Sequence, residues 1–382
     1  MRFNKTKNLH LTNLGSKVIP LKKEQISTPA LLIDLDDLET NIQLMAHFFL
    51  DKKTQLRPHF KSHKSPMIAH KQISAGAKGI TCAKLGEAEV LANAGIKDIL
   101  IANQIVEPEK IYRVASLAKN GVKIAVAVDS IENIDNLSEA ASFLSSTIYV
   151  LIEVDVGMKR CGVSSVEEAL TLAEQIMRSR GLVFEGIQAY EGHLVYDANN
   201  PSRLNTEVRR KGVQEMVNKI GRIKSILKKN GIEVNEISGG GTGTYNITGD
   251  NTIWTEIQAG SYVLMDSVYS AGKLPFKNSM RILSTVIHKR PGFAVTDAGL
   301  KACSIEQGPP KIMDYPDIYA LEDLSEEHGI FADAQDELEY RQKIEYIPSH
   351  CCTTVNLYDA YHCVRNGILE AIWPISGRGK IQ

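Results

Sequence analysis

The sequence predicts an α/β fold, a closed parallel (β/α)8 barrel of the TIM-like kind joined to a β-rich domain. Three observations lead there. Short β-rich apolar runs alternate with segments of helical period from about Leu56 to Met265, the mark of a parallel sheet with crossover helices. The runs number eight, and eight β/α units in roughly 210 residues fall within the size range of a closed barrel. After Asp266 the helical period is lost and the chain reads as strand and loop. An open doubly wound sheet is the competing arrangement on pattern alone.

In chain order, a strand at Ala30 to Leu35 precedes an amphipathic helix expected to begin near Asp37. The barrel strands are expected at 56–61, 78–83, 98–103, 123–128, 148–155, 184–190, 233–239 and 256–264. Ser65 followed by Pro66 reads as an N-cap with proline at the first helical position, and Gly95 sits where a left-handed residue ends a helix. The expected division is a barrel over 36–268, with 1–35 and 269–382 forming the β-rich domain. No internal repeat or low-complexity tract is visible.

At 382 residues the chain suits one large domain and a smaller one. The formal charge is −1, with 44 basic and 45 acidic residues interspersed, so neither nucleic acid nor a membrane surface is an expected partner. A small molecule is. Six cysteines, two of them the adjacent Cys351 and Cys352, show no disulfide framework and point to reduced thiols and a cytoplasmic location. Met1 to Leu21 alternates charged and apolar residues, and no later segment is apolar enough over its length to span a bilayer, so a soluble protein is expected.

Barrel active sites gather at the C-terminal ends of the strands. The first strand ends Arg57-Pro58-His59-Phe60-Lys61-Ser62-His63-Lys64, and alternation puts Arg57, His59 and Lys61 on one inward face. A Lys held there must find a partner or lose its proton, which suits a Schiff-base lysine; a barrel-rim salt bridge is the plainer alternative. After the seventh strand, Ser238-Gly239-Gly240-Gly241-Thr242-Gly243-Thr244 offers backbone amides and the hydroxyls of Thr242 and Thr244 to a phosphate, the competing reading being a flexible glycine loop. Ala259-Gly260-Ser261-Tyr262 would add donors to the same group. Arg160, in a glycine-bounded turn after the fifth strand, is either a fixed cation beside an anionic ligand or a solvated side chain. Tyr190 either stacks on a planar ring or packs the barrel. In Pro348-Ser349-His350-Cys351-Cys352, an extended H-x-C triplet points His350 and Cys352 the same way, and imidazole with thiolate suits zinc. Ordinary core residues are the alternative.

Together these motifs resemble the D-threonine aldolase and D-serine dehydratase family, relatives of alanine racemase with the fold-type III pyridoxal-phosphate (PLP) architecture. The resemblance runs through Thr28 to Leu35, Arg57 to Lys64, Cys82 to Glu89, Asp98 to Leu100, Gly239 to Thr244, Gln258 to Asp266, Asp297 to Lys301 and the His350 segment, nearly the whole chain. It implies a PLP-binding barrel with an internal aldimine on Lys61, Arg160 at the PLP phenolic oxygen, Tyr190 beside the ring, and Gly241, Thr242, Gly260 and Ser261 at the phosphate. Gln258 falls where racemases carry an Arg against the pyridine nitrogen, which speaks against a racemase.

The family also implies a divalent metal on a His and the residue two positions on. Aldolases of the family generally carry Asp there with manganese or magnesium, and dehydratases carry Cys with zinc. Cys352 therefore points to zinc and to dehydration of a D-3-hydroxy amino acid (D-serine, D-threonine or 3-hydroxyaspartate) to a 2-oxo acid and ammonia, with Lys61 as the base. The alternative is retro-aldol cleavage to glycine and an aldehyde, with His59 as the base for the hydroxyl. A racemase or a PLP carrier without turnover is the more distant reading, and the family implies a homodimer. Arg57, His63 and His193 receive no task.

Overall fold

Aspartate 34 ends one element and starts the next. The computed structural model describes residues 21–195, 205–321 and 324–382, with the backbone of 13–14 and 17–18. Strand β1 (Ala30–Asp34) is a run of apolar side chains, and the Asp34 carboxylate accepts the amides of Asp36 and Asp37 at 3.1 and 3.0 Å, capping helix α1 (Leu35–Phe49). The helix thus starts two residues before the expected Asp37, because the cap is the strand's own last residue. Leu35, Leu38, Ile42 and Met45 form its buried stripe.

Eight parallel strands follow: β2 (Gln55–Leu56), β3 (Ile80–Cys82), β4 (Asp98–Ile101), β5 (Lys123–Val128), β6 (Ile148–Glu153), β7 (Leu182–Ala189), β8 (Glu236–Gly239) and β9 (Glu256–Ile257). The ladder runs β3-β4-β5-β6-β7-β8-β9-β2, and a parallel bridge between His59 and Thr81 brings its ends together. The chain therefore has the curled α/β barrel predicted from its alternation. Pro66 does begin a helix after Ser65, and Gly95 takes φ +86° just past another.

Two strands are shorter than expected. The 56–61 strand keeps backbone bonds to its neighbours as far as His59, whose amide donates to Ala259 at 3.1 Å, and then turns through a 3-10 segment at Phe60–Ser62, where the His59 ring accepts the Lys61 amide. The 256–264 strand ends at Ile257 and turns at Ser261–Val263. Phe60 and Tyr262, in the two turns, are fully buried in the core.

The second sheet is antiparallel in its larger part: β10 (Met280–Arg290), β11 (Gly292–Thr296), β12 (Gly329–Asp333), β13 (Lys343–Ile347), β14 (Ala360–Arg365) and β15 (Ile368–Pro374). Its order is β12-β11-β10-β1-β14-β15, with β13 also on β10. Strand β1 pairs antiparallel with β10 and parallel with β14, so an N-terminal segment sits in mid-sheet among C-terminal strands. One buried apolar cluster runs from the barrel helices into this sheet, taking in Leu31 and Ile33 of β1 and Met280 and Ile282 of β10. Among the described residues no helix is long and apolar enough to cross a membrane.

The lower end of the barrel is closed by charge. Arg57 donates to Glu256 at 2.8 Å and to Asp98 at 2.6 Å, and Lys78 lies 3.3 Å from Glu256 and pairs with Glu236. Asp98, Glu236 and Glu256 are the first residues of their strands, so the floor is ionic and the opposite end is left to function.

Candidate active site

The upper end of the barrel opens into a cleft of about 630 Å³ that reaches the second sheet. Lys61, Arg160, Tyr190, Ser261, His350 and Cys352 line it, with Met158, His193, Asp266, Tyr269 and Glu306. Six residues singled out in the sequence thus meet in one place, brought from five separate segments. Lys61 lies on the turn after β2, with Nζ 5.5 Å from the centre of the Tyr190 ring. It is half-buried, reaching the cleft from a turn and not from the inward face of a strand. Arg57, expected to share that face, points to the floor, because the chain turns between them.

His59 does not line the cleft. Its ring is buried behind Lys61, and burial, followed by the charges of Lys61, His63 and Lys64, holds its pKa well below the ordinary value. It is a neutral imidazole suited to shaping the turn and poorly suited to taking up a proton. His63 is pushed down to about 3 by burial. Lys64, at φ +52°, forms a buried ion pair with Glu87 at 2.5 Å, and Glu87 also accepts the Ala83 and Lys84 amides. The second lysine of the motif therefore anchors the turn that carries the first.

The glycine run after β8 forms a cradle. Thr242 Oγ1 accepts the Tyr262 amide at 3.0 Å, tying this loop to the Gly260–Ser261 turn. The amides of Thr242, Gly243 and Gly260 enter no hydrogen bond among the described residues. Gly241 lies against Tyr190, where a Cβ would sit 3.4 Å from the ring, and a Cβ on Gly260 would meet Ser62 Oγ at 2.5 Å. Open amides, a hydroxyl and a facing aromatic ring fit a planar cofactor bearing a phosphate. Thr244, expected to add a donor, is turned inward: it and Thr248 donate to buried Glu191 at 2.6 and 2.7 Å, and Gly240 gives Glu191 its amide at 2.9 Å. Sequence alone missed Glu191, because one carboxylate without a spaced partner carries no motif.

Gln258 does not line the cleft; it is buried in a polar chain, donating to Ser238 at 2.8 Å and Gln188 at 3.2 Å, with Gln188 bonded to Glu153. Burial pushes the Glu153 carboxyl up to about 7 against the pull of Gln188 and Arg160.

His350 and Cys352 also meet, though not on an extended segment: residues Cys351–Val355 form a short helix with His350 as its N-cap. His350 bonds to Glu306, and Cys352 Sγ lies 3.4 Å from Ser62 Oγ beside Lys61. Cys351, His350 and Lys61 pull the Cys352 thiol well below its ordinary value despite burial. Burial opposes a charge on His350, but Cys352 and Glu306 raise it to about 10. Asp266 accepts the Tyr269 and Cys351 amides, and burial pushes it up to about 6. Among the described residues no group of three or more His, Cys, Asp or Glu is arranged to hold a metal ion. The His350 imidazole and the Cys352 sulfur are donors of the kind that would hold a divalent metal, as two of its ligands.

Comparison with known proteins places this geometry. The alanine racemase N-terminal domain family matches residues 33–268, and a serine dehydratase domain family matches 279–364. The chain is 37% identical to the 3-hydroxy-D-aspartate aldolase of Paracoccus denitrificans (strain Pd 1222), over 94% of each chain. It is 38% identical to the D-threonine aldolase of an Arthrobacter species, over 93% of each. The solved D-threonine aldolase from Filomicrobium marinum superposes with a TM-score of 0.89 at 34% identity, covering 95% of this chain and 99% of that one. A metal-free D-threo-3-hydroxyaspartate dehydratase with one cysteine replaced by alanine superposes at 0.81 and 25% identity, covering 92% and 98%. The same dehydratase is also solved with a histidine two positions earlier replaced by alanine. The chain therefore belongs to the D-threonine aldolase and D-serine dehydratase family of alanine racemase-like PLP enzymes, and is a lyase.

Proposed function

We propose that the chain is a metal-assisted lyase of D-3-hydroxy amino acids that removes water and then ammonia, leaving a 2-oxo acid. The observation that carries this reading is the position of Cys352, which lies with His350 beside Lys61 in one cleft. Lys61 is the residue to hold PLP covalently; Arg160 and Tyr190 would flank its ring, Gly241, Thr242, Gly260 and Ser261 its phosphate, and Gln258 its nitrogen. When bound, PLP supplies a sink for the electron pair left at Cα, and a divalent ion on His350 and Cys352 supplies Lewis acidity at the 3-hydroxyl. Thiolate favours zinc over manganese or magnesium. The spacing of His350 and Cys352 is that of the histidine and cysteine replaced in the related dehydratase structures.

Once substrate takes its place, the Lys61 amine stands free to receive the Cα proton. Its turn is held by the Lys64–Glu87 pair, so the amine returns to one position. Water loss needs no separate base for the hydroxyl, which agrees with the sealed position of His59. D-serine, D-threonine and 3-hydroxyaspartate are the candidate substrates. We also infer a homodimer, as expected of this architecture, working in the cytoplasm, where six unbridged cysteines persist.

Retro-aldol cleavage is the second reading, favoured by the 37–38% identity to two aldolases. The base for the hydroxyl would then be His193, which lines the cleft. Incubating the PLP-loaded protein with D-threonine separates the two. Dehydration yields 2-oxobutyrate and ammonia, and Cys352→Ala or a chelator lowers that rate by about 10³-fold, the equivalent of several kcal/mol of lost Lewis acidity. Glycine and acetaldehyde as sole products would overturn the dehydratase reading.

A further inference from the structure

The glycine run after β8 holds a buried carboxylate of its own chain before any ligand arrives. Three donors converge on Glu191: the Gly240 amide at 2.9 Å on one oxygen, and the Thr244 and Thr248 hydroxyls at 2.6 and 2.7 Å on the other. Thr244 spends its only hydrogen there, so its oxygen can accept, and it takes the Gly241 amide at 3.3 Å. Gly240 and Gly241 are thus engaged, one directly and one through Thr244, by a single acid. Without that acid each of these donors would be an orphan in a dry interior. The far end of the loop is pinned as well, since the Gly243 carbonyl accepts from Arg209. Between the two anchors, the amides of Thr242 and Gly243 enter no hydrogen bond among the described residues. Nor does the amide of Gly260, on the turn tied to this loop by the bond from the Tyr262 amide to Thr242 Oγ1. The donors of the run are therefore sorted into a set consumed by Glu191 and a set left open.

We propose that Glu191 is a positioning residue for the cofactor phosphate: by engaging the Gly240 amide and the Thr244 and Thr248 hydroxyls, it fixes the loop with the Thr242 and Gly243 amides left for the anion. The proposal rests on the reading of this cradle as the phosphate site and deepens it. Glu191 acts through the loop and does not itself touch the cofactor. What it supplies is preorganisation, because amides already fixed lose little freedom when an anion binds them. Glu191 also follows Tyr190 directly in the chain, so the ring beside Gly241 and the loop that holds Gly241 are set from the end of one strand, β7.

The test compares PLP with pyridoxal, which has the same ring and aldehyde and lacks the phosphate. Dissociation constants for both are read by absorbance titration of the full chain freed of cofactor. The wild-type chain is expected to prefer PLP; no preference would overturn the cradle reading and the proposal with it. Glu191→Ala orphans three donors and should lower the preference about 10–100-fold, with pyridoxal affinity changed by less than about twofold. Glu191→Gln can give its carbonyl to the Gly240 amide and its nitrogen hydrogens to the two hydroxyl oxygens, and should recover most of the preference. Thr244→Val cuts the link from Glu191 to Gly241 and should also lower the preference; it decides the question if Glu191→Ala fails to fold. Equal weakening of PLP and pyridoxal in the variants would show a general structural role and overturn the proposal, as would an unchanged preference. Either result leaves the cradle reading intact, because that reading is scored on the wild-type chain.

Discussion

Lys61 and Arg57 stand four residues apart in one motif and serve opposite ends of the barrel. The difference is a turn: Phe60–Ser62 carries Lys61 up to the cleft, while Arg57 remains level with the strand starts and pairs with Glu256 and Asp98. Residue type announced Lys61, since an ammonium expected on the inward face of a barrel strand needs a reason. Nothing in the sequence announced Glu191 or Glu153, because a lone carboxylate looks the same on a surface helix as in a core. Glu153 yields a prediction. Its folded pKa is raised from 4.5 to about 7, so between those values the native state keeps a proton that the unfolded chain has released. Its contribution is full below the unfolded value and is lost as pH rises through about 7, about 3 kcal/mol in all. Urea unfolding should therefore show the wild-type chain losing more stability between pH 5 and 8 than Glu153→Gln, whose side chain stays neutral. Equal pH dependence in the two proteins would remove this role for Glu153.

At the scale of elements, long periodic segments were legible and short ones were misjudged at their ends. Eight strand positions followed from apolar runs, because both faces of a barrel strand are covered and each run is apolar throughout. Where those runs stopped pairing was not legible: Phe60 and Tyr262 continue the buried core from turns that belong to no ladder. The H-x-C segment failed for a related reason. Two side chains two positions apart share a face on a strand, yet here they meet across the start of a helix because both turn toward Lys61. The floor network is likewise an assembly of element starts. Arg57→Ala would leave Glu256 buried beside Lys78 with its main partner gone, at a cost of about 3–5 kcal/mol in chemical denaturation. Arg57→Lys should recover less than half of that, since one ammonium cannot replace a guanidinium donating to Glu256 and Asp98 from two nitrogens.

At the scale of the molecule, the cleft is bounded by two sheets, one of which takes its middle strand from the N-terminal segment and its neighbours from β10 and β14. His350, Cys352 and Glu306 reach Lys61 only because that sheet docks on the barrel mouth. Sedimentation of the PLP-loaded protein should give the mass of two chains, and a single-chain mass at micromolar concentration would refute the homodimer. The sequence by itself determined the fold class, the cofactor family and the residue types that gather in the cleft, because apolar period and motif spacing are local properties of the chain. Tertiary structure alone decided that Arg57 belongs to the floor, that Thr244 serves Glu191 and not the open cradle, and that Gln258 bonds to Ser238 and Gln188. Those outcomes depend on which buried donors and acceptors meet from distant segments, and in a dry interior each group must satisfy its partners before it can serve a ligand.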